Sequence, residues 1–496
     1  MKKITAFLLA ALLCFAALIL ASCNDDETAS DASDNAESSE APQEKGFLNE
    51  IKDWGGKDVV VLTHDQRDFS TIIIPESSNG EPINDAFLAR NNYIEQNFGI
   101  SLKLETCSDP GEGASRVRND YESGLNEIDV VSLPLAYIAT LGVEGILYDF
   151  NSINNGYIHL DKEWWDQAAI RDLTINNKLW FLAGDALIED DESTWAIYFN
   201  KDLVNSYKLD DPYELVRDDK WTLDTMYEMI KKVHHQTGSA MTFTPESDDI
   251  WGMVAQTYDC YALMLGANQP MVDNSGEYPE FRVNSESNIN TFSDVMEILL
   301  DTNNVGVADF YGDYSTYYPY KRQIFCKGNA LFMPGMIQVV SYDEMRTADI
   351  HYGILPMPKA NEIQEEYTTS VQCYWAQVMS VPIGASEKID LISYALEAMA
   401  YYGKETVTPE YYNRTLTLKR FEDTESGEML DLIFRNRTYD IAGIFDFGTV
   451  NGNGAGTLYF YTNLLTARST EIVSMWDAMS DLYQSALDEL IEAVQR

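Results

Sequence analysis

An α/β fold with parallel sheets is what this sequence predicts, and three observations carry the prediction. Short strand-like runs occur at Asp58-Val-Val-Val-Leu-Thr63, at residues 100–105 and at Asp129-Val-Val-Ser-Leu133; the first and third are β-branched and apolar, as strands buried on both faces are. Amphipathic helical stripes alternate with such runs along the chain, the pattern that builds sheets covered by helices. Beyond Phe47 about 450 residues remain, which by length suggests two or three domains.

Each element has a local justification. After the first strand, residues 84–98 place Ala86, Phe87, Ala89, Tyr93, Ile94 and Phe98 on an apolar helical stripe, and Gly99 stops the helix before the second strand. The unit is β-α-β, and such units bind ligands beyond the carboxyl ends of their strands. The third strand, 129–133, is followed by a short helix over 136–145. Trp195-Ala-Ile-Tyr-Phe199 continues as a strand, and Leu223, Met226, Tyr227, Ile230 and Val233 stripe a helix over 222–235. A helix over 287–300 and a strand over 330–333 follow. Residues 466–496 alternate apolar and acidic residues at helical spacing, predicting a terminal helix or helix pair, and no internal repeat is present.

The N-terminus carries an address. Met1-Lys2-Lys3, an apolar run over 4–20 and small residues before Cys23 describe a secretory signal over 1–22. An uncleaved membrane anchor is the alternative, since the run is near the lower length limit for spanning. Residues 23–46 are acidic and polar, too poor in apolar groups to fold, and are expected to form a disordered tether. The net charge of −46 resides mostly in the body beyond the tether, which excludes nucleic acid as a partner. Cys107, Cys260, Cys326 and Cys373 remain in the body; three pairings are open, and a core this long allows them to be buried free thiols.

Five phrases stand in order along the body: Gly145-Ile-Leu-Tyr-Asp149, Tyr198-Phe-Asn-Lys201, Pro212-Tyr-Glu-Leu-Val216 with Lys220-Trp-Thr222, Phe325-Cys-Lys-Gly-Asn-Ala330 and Tyr352-Gly-Ile-Leu-Pro-Met-Pro-Lys359. Together they resemble the family 1 extracellular solute-binding proteins, receptors of ATP-driven sugar importers, especially their lipid-anchored clostridial-type members. The order and spread of the phrases cover nearly the whole body. Cys23 then resembles the lipidated first residue of bacterial lipoproteins. The resemblance implies a two-lobed periplasmic-binding-protein-like fold with hinge crossovers: 47–189 plus 350–408 in one lobe, 190–349 plus 409–496 in the other. Gly328 and Gly335 are expected to reverse the chain at both ends of one strand. Pro356 and Pro358 are expected to hold an extended passage between lobes.

The resemblance also implies that the loops after the strands line a ligand cleft. From the first lobe these supply His64, Asp65, Ser132 and Tyr137, and from the first crossover Ser193, Thr194 and Trp195. From the second lobe come Tyr258, Asp259, Tyr261 and Gln338, and from the C-terminal region Asn451, Asn453 and Tyr459. A sugar needs flat aromatic faces and hydrogen-bonding groups, and the chain has 30 Tyr and 9 Trp, so many rings must also be core. Trp195 is open to both readings, a stacking ring or a core indole. Where an acidic hydroxyl binder is implied after the third strand, the chain has apolar Leu133-Pro-Leu-Ala136, a departure from the best-known sugar receptors.

Catalytic and metal readings have little support in the residues. Asp190-Asp191-Glu192 clusters carboxylates, but adjacent acids in a polar loop are more often solvated or cation-binding than a separated acid and nucleophile. His234 and His235 have no third ligand beside them, and neither a phosphate loop nor a nucleophile elbow is present. No enzyme activity, cofactor or metal is expected. The resulting expectation is a monomeric, lipid-anchored receptor on the extracellular face of the cell membrane. It delivers a carbohydrate, an oligosaccharide, to the permease subunits of an ABC transporter. The alternatives are a surface glycan-binding or sensing protein without a transport role, and a tethered glycoside hydrolase.

Overall fold

Val59, Val61 and Leu62 lie with no exposed surface in β1 (Lys57–His64), the strand around which the first sheet is built. The computed structural model describes residues 51–65, 73–412, 424–449 and 454–496; the signal and tether, Cys23, Asn451 and Asn453 lie outside them. The helix Pro82–Phe98 follows β1, with Pro82 in its first turn and Gly99 closing it at φ 59°, where the left-handed conformation suits glycine. Its inner face carries Phe87, Arg90, Ile94 and Phe98 against the long helix Ile389–Glu410. Arg90 is fully buried and donates to the Ala186 carbonyl at 2.7 Å, satisfying a charge that burial otherwise penalises.

The chain then enters β2 (Ile100–Cys107) and β3 (Val130–Pro134), both parallel to β1. The predicted β-α-β unit is present. Between β2 and β3 lies a helix, Pro110–Ser123, that the sequence reading did not anticipate. Its buried face is Gly113, Ala114, Val117 and Asp120, small or polar residues that leave no apolar stripe to read, although Asp109 caps it from the Glu112 amide.

The second sheet has the order β10-β4-β9-β5-β8. Its members are β4 (Trp195–Asn200), β5 (Trp251–Ala255), β8 (Val305–Val307), β9 (Ala330–Met336) and β10 (Tyr352–Leu355), while β6 (Val272–Asp273) and β7 (Glu280–Phe281) form a separate hairpin. Asn200 ends β4 and caps the helix Lys201–Tyr207, accepting from the amides of Asp202 and Leu203 at 2.9 and 3.1 Å.

Two expectations about this sheet are corrected. Gly328 has φ 87°, but Gly335 lies inside β9 without a positive φ. A Cβ on Gly335 would sit 3.3 Å from Val339 and 3.4 Å from the Tyr198 ring, so close packing is its visible constraint. The passage at Pro356 and Pro358 does not cross between lobes. β10 pairs with β4, the Pro356 carbonyl accepts the Trp221 indole N–H at 2.9 Å, and the Lys359 amide donates to the Trp221 carbonyl at 3.1 Å. The chain therefore stays on the second sheet past residue 350, where the return was expected. Only β11 (Thr369–Ser370) and β12 (Gln377–Ser380) lead the chain back, β12 lying antiparallel to β3 in the first sheet.

The C-terminal region also divides differently from the expectation. Helix Glu425–Arg435 packs on β10 of the second sheet, whereas helix Ile441–Phe445 packs on helix Leu135–Val143 beside the first. Residues 466–496 give one long terminal helix, Ile472–Gln495, and the Asn176 amide reaches its Val494 carbonyl at 3.3 Å. All four body cysteines are free thiols. Among the described residues, no helix is long and apolar enough to cross a membrane.

Candidate functional site

Three chain segments lie side by side between the sheets. The first, Ser193–Trp195, bridges to the second through Thr194 and Val371, and the Gln372 amide donates to the Ser193 carbonyl at 2.9 Å. The second and third pair in parallel as β11 and β13 (Arg437–Thr438). Short backbone ladders of this kind bend at a few residues while the flanking sheets stay rigid.

Beyond these segments the strand ends supply a row of tyrosines. Tyr137 follows β3, Tyr374 follows the second crossing, Tyr258 follows β5, and Tyr459 precedes the helix Phe460–Thr466. Ring centroids are 5.5 Å apart for Tyr137 and Tyr374, 6.3 Å for Tyr374 and Tyr459, and 6.5 Å for Tyr459 and Tyr258. All four are partly exposed. The arc thus runs from the first sheet to the second, presenting ring faces and edges with a hydroxyl on each. Three of its members were expected from the sequence; Tyr374 was missed because the second crossing was placed too early.

Polar groups are fixed around the arc. The Gln377 carbonyl oxygen accepts from the hydroxyls of Thr63 and Ser132, both at 3.1 Å, and its amide nitrogen lies 3.4 Å from Nε2 of His64. Gln372 accepts from the Tyr258 hydroxyl at 3.4 Å and from the Tyr374 amide at 3.0 Å. Two glutamines, neither expected from the sequence, thus hold predicted site residues in place. Asp65 is exposed beside this cluster.

Other expected ligand contacts sit behind the arc. Trp195 is only 2% exposed and stacks on Tyr258, centroids 5.9 Å apart and planes 18° apart, so it backs that ring and presents no open face. Among the described residues its indole N–H has no partner, and the hollow it borders, about 20 Å³, has room for one water. Tyr318 borders the same hollow and stacks on the exposed Tyr314 at 4.6 Å. Asp259 is wholly buried, ion-paired to Lys321 at 2.8 Å. Tyr261 is buried with its hydroxyl on Asp440, a carboxyl that burial pushes up to about 6. Ser193, Thr194 and Gln338 are also buried.

The acidic stretch at 190–192 is largely buried rather than solvated. It forms a buried short helix, Glu189–Glu192, closed over one guanidinium. Arg437, on the third crossing, lies 2.6 Å from Asp191, 2.7 Å from Asp166 and 3.5 Å from Asp190. Burial pushes Asp190 and Asp191 above the usual carboxylate range, against the downward pull of Arg437. Sequence order hid the partner, 246 residues from Asp191. Among the described residues, no group of three or more His, Cys, Asp or Glu is arranged to hold a metal ion.

Asp185, near this cluster, gives a pH-dependent prediction. Burial pushes its carboxyl up to about 7, while the Thr408 hydroxyl at 2.5 Å and Lys404 pull it down and Asp191 pushes it up. A carboxyl raised on folding contributes stability that is full below its unfolded value, near 4, and is lost as pH rises through 7. Asp185→Asn keeps an acceptor for Thr408. It should flatten the fall in urea-unfolding stability between pH 5 and pH 8 and leave the variant more stable than wild type at pH 8.

The chain is similar to known proteins in its fold. No family model matches it, and no curated protein does. Solved structures match over most of its length. The ABC substrate-binding protein Lmo0181 from Listeria monocytogenes, in complex with cycloalternan, has TM-score 0.53 at 13% identity, covering 86% of this chain and 98% of that one. The fold is that of the carbohydrate-binding ABC solute receptors. The GacH receptor of Streptomyces glaucescens, solved unliganded and with acarbose, gives 0.51 at 15% identity over 86% and 98%. A sugar transporter from Rhizobium etli in an open conformation gives 0.53 at 14% identity over 88% and 99%.

Proposed function

We propose that this protein is a lipid-anchored extracellular receptor of the family 1, clostridial type, which closes two lobes over an oligosaccharide and presents it to the permease of an ABC importer. Cys23 carries the lipid, residues 24–46 are the leash, and each lobe is built on one of the two sheets. The observation that carries the reading is the arc of Tyr137, Tyr374, Tyr459 and Tyr258, partly exposed rings that span both sheets. Amphipathic rings of this kind bury the C–H faces of a sugar while their hydroxyls, with Gln372 and Asp65, meet its hydroxyls. The structural neighbours are non-catalytic binding proteins, and their complexes with cycloalternan and acarbose support a carbohydrate ligand.

The arc spans several rings, which favours a chain of sugar units over a single one. A thermal-shift screen of the full-length protein against mono- and oligosaccharides, with a panel of cationic solutes as control, tests this. A ligand held only by the folded state at a hundredfold excess over Kd adds about 2.7 kcal/mol. The expected result is a melting shift with one or more oligosaccharides. A shift with cationic solutes alone would overturn the carbohydrate reading.

A further inference from the structure

Behind the tyrosine arc lies a second opening that the front site does not use. Tyr261 is the partition: its ring packs on Tyr258 at 5.4 Å, and its hydroxyl meets Asp440, which lines a crevice of about 260 Å³. The first-sheet side of this crevice is Arg171 and Asp172, at the end of helix Gln167–Leu173, and the third crossing supplies Thr438 to Asp440. Its other wall comes from the second-sheet side, from Asn268, Asp273 and Arg282. The Asn274 amide closes across it onto the Asp172 carbonyl at 2.9 Å.

The charges of the lining nearly cancel, so no ion is favoured. Arg171 is bidentate on Asp172 at 2.7 and 2.9 Å, Asp172 also accepts from the Tyr439 amide, and Asp440 is held by Tyr261 and the Gly443 amide. What remains is unused hydrogen-bonding capacity of both kinds. Among the described residues Arg282 makes one side-chain hydrogen bond, to Gln269 at 3.1 Å, leaving most of its five donors. Asp273, exposed at the rim, accepts from Ser275 and keeps acceptor capacity beyond that contact, since a carboxylate has about four lone-pair sites. Groups that both donate and accept, closely spaced on a small neutral skeleton, match that set, and the volume suits a molecule smaller than a drug-sized ligand.

We propose that this rear crevice is a second binding site, for a neutral polyol of monosaccharide size, and that its occupancy biases the angle between the two sheets. Residues from both sides of the crossing segments line it, so hinge bending must change its width, and a ligand that prefers one width shifts the equilibrium toward it. Coupling of this kind is reciprocal: the rear ligand changes affinity at the front by the same factor that the front ligand changes affinity at the rear. The proposal goes beyond the carbohydrate reading of the arc and does not depend on what the arc binds.

Hydrogen exchange of the full-length protein with D-glucose, D-galactose, D-mannose and myo-inositol as probes, with small-angle scattering on the same samples, tests both halves. At least one probe should protect peptides 268–282 and 437–441 and change the radius of gyration. Arg282→Met should lose both effects; Asn268→Ala supplies the same readout if that variant's melting curve shows misfolding. Protection confined to 372–375 and 457–460, or none with any probe, would overturn the site. Rear protection without a change in the radius of gyration would overturn the coupling.

Discussion

Replacing Arg437 by Met should destabilise the protein by about 3–5 kcal/mol in urea unfolding at pH 7.5, the range for removing one partner of a buried ion pair. Arg437 is ion-paired with Asp166, Asp190 and Asp191, and Met preserves its stem while leaving those carboxylates without it. The loss should shrink as pH falls toward 5, because Asp190 and Asp191 already sit above the ordinary carboxylate value and take up protons more readily without the guanidinium. Arg437→Lys should recover only part of the loss, since a point charge cannot serve three carboxylates at once. A loss that stays constant from pH 8 to pH 5 would place the defect in packing.

Trp195→Ala should cost about 3–5 kcal/mol of stability, the range for deleting a large aromatic from a packed interior. The indole is buried beneath Tyr258 and makes no hydrogen bond among the described residues, so the loss expected is of packing. Affinity should fall as well, because Tyr258 loses the ring it rests on, but Trp195→Phe should restore most of the affinity by refilling that space. A Trp195→Ala variant with unchanged stability and no binding would return Trp195 to direct ligand contact.

Local signals made the strands and most helices legible. The run Val59-Val60-Val61 and the pair Val130-Val131 are enough to predict parallel strands, and Gly99 marks a helix end by the backbone conformation it adopts. Helix Pro110–Ser123 escaped because it buries Gly113 and Ala114, residues with too little apolar surface to register. The site was legible where a ring follows a strand, as with Tyr137 and Tyr258. It was not legible where position depends on the route of the chain between sheets. Pro356 and Pro358 signal an extended path but not its neighbour, and Trp221 holds that path on the second sheet. Tyr374 and Gln372 were lost with that error. Arg437 was lost for a related reason: nothing local to 190–192 tells that a guanidinium from the third crossing will fill the centre of the acids.

The proposed role of the tyrosine arc as a sugar platform is tested most directly by a calorimetric titration of linear and cyclic gluco-oligosaccharides into the wild type and Tyr374→Ala. Tyr374 joins the two halves of the arc, 5.5 Å from Tyr137 and 6.3 Å from Tyr459, and is half-buried with its backbone amide already held by Gln372. Truncating a central aromatic anchor removes about 2 kcal/mol or more of binding, which is roughly a thirtyfold rise in Kd. The wild type should bind saturably, and the variant should show that weakening at unchanged melting temperature. Equal affinity in the two proteins, or no heat of binding in either, would contradict that role.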